Sequence, residues 1–154
     1  MAISMQFEPK DRDWEQRVRS SFGRQAVMQT LGIEIRDIAP GRIELAMPYA
    51  RAYTQQHGFL HAGILATALD SACGYAAFSL MPPDAAVLTV EFKINLLAPA
   101  KGDRFLFRAQ VVKPGRTLTV CDGHAFAAHQ GSERLIASMT GTLMSVFDRT
   151  GIEQ

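Results

Sequence analysis

The sequence has little cysteine and no long apolar run. Its two cysteines, Cys73 and Cys121, form no CxxC motif, which excludes a disulfide framework and favours a reducing environment. The apolar runs are shorter than the ~20 residues that a membrane-spanning helix needs. The opening residues, MAISMQFEPKDRD, lack the charged-then-apolar pattern of a signal peptide. We therefore expect a cytoplasmic protein with no membrane partner.

Neither sign of charge is in excess, since 16 basic and 15 acidic side chains give a net charge of +1. A protein that binds nucleic acid or an anionic membrane would favour a basic excess, so we expect no nucleic-acid partner. A length of 154 residues, 47% of them hydrophobic, is typical of a single globular domain.

Several motifs of catalysis and cofactor binding are also missing. No GxSxG elbow, GxGxxG loop or P-loop occurs, which argues against a serine hydrolase and a nucleotide-binding site. His57 and His61 have the i, i+4 spacing of a zinc pair. Gly58 lies between them, however, and no glutamate follows the first histidine as in HExxH. We therefore expect neither a metal nor a cofactor.

The apolar residues that are present change their spacing along the chain. Helical spacing from Trp14 to Ala26 predicts one N-terminal helix within residues 11–30, which Gly32 ends. Period-two alternation on either side of Pro40-Gly41 then predicts a hairpin.

A Pro-free apolar segment from about His61 to Leu80 predicts a long buried helix. Three or four strands follow it, within 87–97, 104–112, 117–126 and 135–147. Strict alternation in the first of these predicts one face of Leu88, Val90, Phe92, Ile94 and Leu96, and another of Thr89, Glu91, Lys93 and Asn95.

This order of elements predicts an α+β fold. The turns between the later strands are too short for helices, which excludes a parallel α/β sheet. An antiparallel meander wrapped around one central helix satisfies the pattern, with consecutive strands pairing as neighbours. The predicted domain covers residues 31–147, with an N-terminal helical extension over 1–30 and a short C-terminal tail over 148–154.

The stretch from Gln55 to Ala77 is the part of the sequence best suited to chemistry. Asp70 interrupts a helix of small apolar residues, where a carboxylate gains nothing from packing and risks an unsolvated charge. His61 precedes Asp70 by nine positions, so the two lie on opposite sides of the helix and roughly 13 Å apart along its axis. If both are functional, the simplest arrangement is a homodimer in which one chain's loop meets the other chain's helix.

The surroundings of Asp70 leave more than one interpretation open. The carboxylate could cap a neighbouring backbone or pair with a buried arginine instead of doing chemistry. At the start of the helix, free N–H groups of Ala62, Gly63 and Ile64 could hold an oxyanion, although every helix has such an end. The predicted face of Asp70 also carries small residues that invite close approach of another backbone: Gly63, Ala66, Thr67, Cys73, Gly74 and Ala77.

These residues resemble the phenylacetate-pathway (PaaI-like) branch of the hotdog-fold acyl-CoA thioesterases. In that family an Asn or Gln and then G-x-x-H-G-G open the central helix, and an acid follows within it. The resemblance covers roughly residues 31–147. This sequence departs from the pattern at Gln55, where Asn is commoner, and at Ala62, which replaces a Gly. The matching positions are Gln55, Gly58, His61, Ala62, Gly63 and Asp70, with the segments 89–95, 99–102 and 113–117.

The resemblance implies a hotdog fold with an extra N-terminal helix, and hydrolysis of acyl-CoA to free acid and CoA. Asp70 would act as general base or nucleophile, while the Ala62 N–H, with Gly63, would polarise the thioester carbonyl. Gln55 and His61 would come from the partner chain of a homodimer that assembles further as a tetramer. The Thr89 hydroxyl would help to place the water.

The resemblance says less about the rest of the substrate. Lys113 and Arg116 flank a Pro-Gly turn and would hold the phosphates of CoA, although turn residues of this kind are commonly just solvated. Tyr75, Phe78 and Met81 would line an acyl tunnel, with core packing as the alternative. Two other functions remain open on the same fold: an acyl-CoA or fatty-acyl binding protein without activity, and an enoyl-thioester hydratase or dehydratase.

Overall fold

The computed structural model describes residues 6–154. Two short helices and a hairpin precede a long helix, and four long strands follow it. Two helices, α1 (Trp14–Arg24) and α2 (Ala26–Leu31), precede a hairpin of β1 (Glu34–Ala39) and β2 (Arg42–Pro48). A 3-10 turn at Arg51–Tyr53 leads to the long helix α3 (Ala62–Phe78). The remaining strands are β3 (Ala86–Leu96), β4 (Arg104–Lys113), β5 (Leu118–His129) and β6 (Ser132–Val146).

The predicted N-terminal helix is present, but it is divided into two helices rather than continuous over residues 11–30. Gln25 takes an extended conformation, with φ −78° and ψ 99°, and separates α1 from α2. The break lets each helix turn its own apolar residues inward, Val18 and Phe22 from α1 and Met28 from α2. Gly32 ends α2 in the left-handed conformation (φ 66°), as its predicted stop position requires.

All strands pair antiparallel in one sheet of order β1-β2-β4-β5-β6-β3, packed around α3. The predicted α+β class and the central helix are therefore confirmed. The prediction that consecutive strands are neighbours is wrong for β3, which lies at the far edge beside β6. Four strand spacings separate β2 from β3, about 19 Å. Helix α3 crosses that width because its 17 residues extend for about 25 Å.

The sheet face under α3 includes a glycine at a point of close approach. A Cβ at Gly123 would lie 3.1 Å from the Cys73 sulfur and 3.2 Å from Leu69 Cδ2. At Gly141, on the neighbouring strand, the nearest atoms would be at ordinary contact distances of 3.8–3.9 Å. The depth at which α3 sits on the sheet therefore depends on the missing side chain at Gly123.

We expect Gly123→Ala to reduce the free energy of unfolding by about 1–3 kcal/mol, because the added methyl group overpacks the contact between helix and sheet. Gly141→Ala is the matched control and is expected to change stability by less than about 1 kcal/mol. Denaturant unfolding of both variants measures the difference. Equal losses in the two variants would contradict the close approach at Gly123.

A β-bulge in β3 changes the predicted alternation of its side chains. Thr89 pairs with Leu143 and Glu91 pairs with Thr142, so Val90 is an extra residue. Leu143 is fully buried in the core beneath α3, and directly opposed residues share a face. Thr89 therefore faces the helix, whereas the sequence placed it on the opposite face with Glu91. Leu88 correspondingly leaves the helix-facing side and pairs with Met144.

Helix α1 and the C-terminal Gln154 pack against the rest of the fold. Gln154 accepts a hydrogen bond from the Val87 N–H (3.0 Å) and donates one to the Ser21 hydroxyl (2.9 Å). Arg17 of α1 donates to the carbonyls of Met81 and Pro82, just beyond the end of α3. The division into residues 1–30, 31–147 and 148–154 stays a prediction. Within the described residues, no helix is both long and apolar enough to cross a membrane.

Candidate active site

A tight loop leads into α3. Thr54 pairs with Leu60, the Gln55 N–H donates to the Phe59 carbonyl (2.9 Å), and the Gly58 N–H donates to the Gln55 carbonyl (3.0 Å). Gly58 supplies the positive φ (82°) that this turn requires. The loop therefore holds Gln55 and the first turn of α3 at fixed positions relative to each other.

His61 is the N-cap of α3. Its Nδ1 accepts a hydrogen bond from the Gly63 N–H (2.9 Å), and its carbonyl accepts one from the Ile64 N–H (2.9 Å). The prediction that all three first N–H groups are free is therefore wrong, because a histidine side chain performs the capping usually done by Ser or Asp. Among residues 6–154, only the Ala62 N–H of the three lacks a partner. A neutral ring that accepts at Nδ1 carries its proton on Nε2, which can donate to a ligand.

Three of the predicted site residues line one open cleft of about 590 Å³: Gln55, His61 and Ala62. Its opposite wall is the end of β3 and the turn that follows. No site role was predicted for that wall, although the apolar pair Leu96-Leu97 in the run Leu-Leu-Ala-Pro was a usable signal. Apolar residues make up most of the remaining lining: Phe59, Leu60, Leu65, Leu96, Leu97, Ala98, Pro99 and Ala100.

Asp70 and Thr89 form a second group, and neither lines that cleft. The Thr89 hydroxyl donates to Asp70 Oδ1 at 2.8 Å. Burial raises the pKa of the Asp70 carboxyl above its ordinary value, and the hydrogen bond from Thr89 partly offsets the rise. No arginine pairs with Asp70 within the described part of the chain. Its second oxygen is left available to bind water or a reacting carbonyl.

The helix surface around Asp70 is only partly as predicted. Ala66, Thr67 and Gly74 are half-buried beside it, and the Thr67 hydroxyl is occupied by the Gly63 carbonyl (2.8 Å). Cys73 and Ala77 are buried instead, because they turn toward the sheet. Burial raises the pKa of the Cys73 thiol well above its ordinary value, consistent with an inert packed residue. The surface beside Asp70 is thus formed by small residues, and the hydroxyl of the one threonine among them already has a partner.

The two predicted phosphate ligands lie near the other end of α3. Lys113 ends β4 and Arg116 lies in the following turn, and both are exposed. Residues 114 and 115 of that turn line a cleft of about 270 Å³ with Leu80 and Met81, which follow the end of α3. Nothing in the structure tests their binding of phosphate, which stays a prediction.

Tyr75 and Phe78 are core residues in this structure. Tyr75 is 5% exposed, its hydroxyl lies 3.2 Å from the Ser21 hydroxyl, and its ring packs edge-on against Phe22 and Phe78. Burial raises the pKa of Tyr75 above its ordinary value. Phe78 is fully buried beneath the Arg17 guanidinium, 4.3 Å from the ring centre. The structure thus favours the packing alternative, and a substrate contact of Tyr75 stays a prediction.

Comparison with known proteins places this architecture in one family. The family model described as the thioesterase superfamily matches residues 57–133, half of the chain. A thioesterase family protein from Silicibacter pomeroyi has a solved structure that is 66% identical, with a TM-score of 0.87. The alignment covers 88% of this chain and 99% of that one.

More distant relatives agree with this match. A Halobacterium salinarum protein that carries a provisional esterase name is 32% identical over 110 residues, which make up 68% of this chain and 72% of that protein. The PaaI protein of the Escherichia coli phenylacetic acid degradation operon is 23% identical and shares the fold, with a TM-score of 0.78 over 89% of this chain and 96% of its own. The resemblance predicted from the sequence is confirmed: the chain belongs to the thioesterase superfamily and has the hotdog fold.

Proposed function

We propose that the protein hydrolyses acyl-CoA thioesters with Asp70 as general base or nucleophile. The observation that carries the proposal is the hydrogen-bonded pair of Asp70 and Thr89 beside small, half-buried residues. In the base route, the carboxylate takes a proton from water as the oxygen adds to the thioester carbon. The C–S bond then breaks, and CoA leaves as a thiolate without a general acid because a thiol has a pKa of only about 8.5.

The start of α3 supports the proposal because it can polarise the thioester carbonyl. The Ala62 N–H lies at the positive end of the helix dipole and opens into the large cleft, where it can donate to the thioester oxygen. Replacing the family's Gly by Ala keeps this donor. His61 Nε2 and the Gln55 amide would orient the carbonyl or the water. The apolar wall of the cleft would hold the start of the acyl group.

We further propose a homodimer in which each active site uses both chains. The cleft residues and Asp70 are separate within one chain, and no strand of residues 6–154 covers the outer edge of β3. The outer face of the sheet carries further exposed apolar residues, Leu88, Val112 and Leu118, which would join two dimers into a tetramer. Lys113 and Arg116, which have no carboxylate partner in residues 6–154, would hold the phosphates of CoA.

Assays of the wild-type protein against aliphatic and aromatic acyl-CoAs, with the released thiol as readout, test this function. We expect turnover with at least one acyl class. Saturable binding without thiol release across the panel would instead support a non-catalytic acyl-CoA binding protein. If the protein instead adds water to enoyl thioesters, or removes it from 3-hydroxyacyl thioesters, without cleaving the C–S bond, it is a hydratase or dehydratase.

The proposed role of Asp70 predicts an acidic limit to the activity. The rate should fall as the pH falls through the raised pKa of Asp70, because a protonated carboxyl can neither accept a proton nor attack. Thr89→Val removes the hydrogen bond that lowers this pKa. We therefore expect it to move the acidic limb to higher pH, by up to about one unit, and to lower kcat about tenfold.

Thr67→Val is the matched control for Thr89→Val. Thr67 lies on the same helix surface, but its hydroxyl bonds to the Gly63 carbonyl rather than to Asp70. Its pH–rate profile should match that of the wild type. An acidic limb that stays in place in Thr89→Val would contradict the role of this hydrogen bond.

A further inference from the structure

Gly74 lies well inside α3, one turn after Asp70. Apart from its chain neighbours and the backbone of its own helix, a Cβ built at Gly74 would meet no atom of residues 6–154 within 4 Å. Glycine destabilises the interior of a helix relative to alanine. Packing within the described chain therefore gives no reason for a glycine here, and the space above it is open to another molecule.

The open space at Gly74 lies beside the Asp70 carboxylate. Residues four positions apart share a face of a helix and lie about 6 Å apart along its axis. Each Cα–Cβ bond tilts toward the helix N-terminus, so a side chain at position 74 would cover the turn that carries Asp70. The missing side chain of Gly74 thus leaves room next to the carboxylate.

This open space has a closed end. The same row of α3 continues to Phe78, which is fully buried. Arg17 of α1 covers this residue, with its guanidinium 4.3 Å from the ring centre. The guanidinium is held there by hydrogen bonds to two carbonyls just beyond α3. The accessible part of the row therefore ends at Gly74, about 6 Å beyond Asp70.

The two flanks of the open space are bounded as well. At 100° per residue, Ser71 lies about 60° to one side of Gly74 around the helix, and Asp70 lies about 40° to the other. Ser71 is buried, and its hydroxyl donates to Gln25 Oε1 (3.3 Å) at the break between α1 and α2. On the other flank, Thr89 of β3 contacts Asp70. The N-terminal helices thus close one flank and β3 closes the other.

We propose that the acyl group of the substrate occupies this open space, and that Gly74 determines which acyl groups the site accepts. The inference rests on the hydrolysis of acyl-CoA proposed above. The thioester carbon has to reach Asp70, so the groups attached to it lie along the neighbouring surface of α3. The CoA arm has to continue to solvent and cannot end against α1, whereas an acyl group can. A length of about 6 Å fits a short or single-ring acyl group, such as butyryl or benzoyl.

Gly74→Ala tests the inference because it places one methyl group in the open space. We expect kcat/KM to fall at least about tenfold for butyryl- and benzoyl-CoA, and less than about threefold for acetyl-CoA, which needs less room. The same substitution should raise the thermal midpoint by about 2–4 °C, because alanine stabilises a helix. Misfolding cannot explain a variant that is more stable and yet rejects the larger acyl groups.

Gly23→Ala is the matched control. Gly23 lies in α1, and a Cβ there would also meet nothing within 4 Å in the described part of the chain. This variant should keep the wild-type kcat/KM for all of these acyl-CoAs. An equal loss toward every acyl group in Gly74→Ala would place the CoA arm over Gly74 and overturn the inference. A wild-type preference for acyl chains longer than about six carbons, which the closed end excludes, would also overturn it.

A second copy of the chain is the other possible occupant of the open space. Sedimentation of Gly74→Ala should give the oligomeric state of the wild type. A shift to a smaller assembly would mean that the backbone of another copy packs on Gly74, and it would overturn the inference.

Binding to an inactive variant separates this inference from the proposed function. Calorimetry measures the Kd of intact acyl-CoA for Asp70→Asn. Adding Gly74→Ala should raise the Kd of benzoyl-CoA at least about tenfold more than that of acetyl-CoA. If the wild type releases no thiol but this difference is found, hydrolysis is contradicted and the acyl position stands. If the wild type is active and the difference is absent, the acyl position is overturned and hydrolysis stands.

Discussion

Asp70→Asn is expected to lower kcat for thioester hydrolysis by about 10³-fold or more, because an amide can neither accept a proton from water nor attack the carbonyl. Asparagine has the shape of aspartate and keeps an oxygen for the Thr89 hydroxyl. The variant should therefore fold normally. Its thermal midpoint should equal or exceed that of the wild type at neutral pH, because burial already disfavours the charged carboxylate.

The chain offers a matched control for this experiment. Asp122 also accepts a hydrogen bond from a threonine, Thr140 (3.1 Å), but on the sheet face away from α3. Asp122→Asn should keep wild-type kcat. Steady-state kinetics and thermal unfolding of both variants measure the two effects. Wild-type turnover in Asp70→Asn would remove Asp70 from the mechanism.

Mixing two inactive variants is expected to restore about a quarter of the wild-type activity. One variant carries Asp70→Asn. The other carries Gln55→Ala and His61→Asn, in which asparagine still caps the Gly63 N–H. A mixed dimer then has one site with both halves intact and one with neither. Random assembly makes about half of the dimers mixed, so about one site in four is active.

The control for recovery is a chain that carries all three substitutions. When it is mixed with the Asp70→Asn chain, neither chain supplies Asp70. The activity should therefore stay at the level of the single variants. Subunits are exchanged by co-expression, and released thiol is measured at equal total protein. If mixing the two complementary variants restores nothing although mixed dimers form, each site lies within one chain.

The sequence predicted the elements of this fold better than their arrangement. Spacing identified the long helix, because an apolar segment of that length without proline has few other solutions. The place of β3 could not be predicted, because its neighbour β6 lies about 50 residues away in the chain and nothing local records that pairing. The bulge at Val90 was hidden for a related reason. The side chains of β3 alternate without a break in the sequence, just as those of a regular strand would, so nothing indicates the extra residue.

The candidate site was predicted in its residue types and less well in its contacts. A lone acid among small residues identified Asp70, and helix geometry separated it from His61. The hydrogen bond that the Gly63 N–H donates to His61 Nδ1 was not foreseen, because histidine is a rare helix cap. The exact contact of Asp70 with Thr89 depended on the bulge. Both misses concern the local course of the backbone, which residue patterns do not specify.

The single neighbour of β3 has a consequence for how the protein opens. Proteins unfold locally first where a segment has the fewest partners, and an edge strand held from one side is such a segment. When β3 detaches in an isolated chain, Thr89 leaves Asp70 while β1, β2, β4, β5 and β6 remain paired. Activity should then disappear at lower denaturant concentration than the sheet itself, and a second strand on the free edge would close that gap.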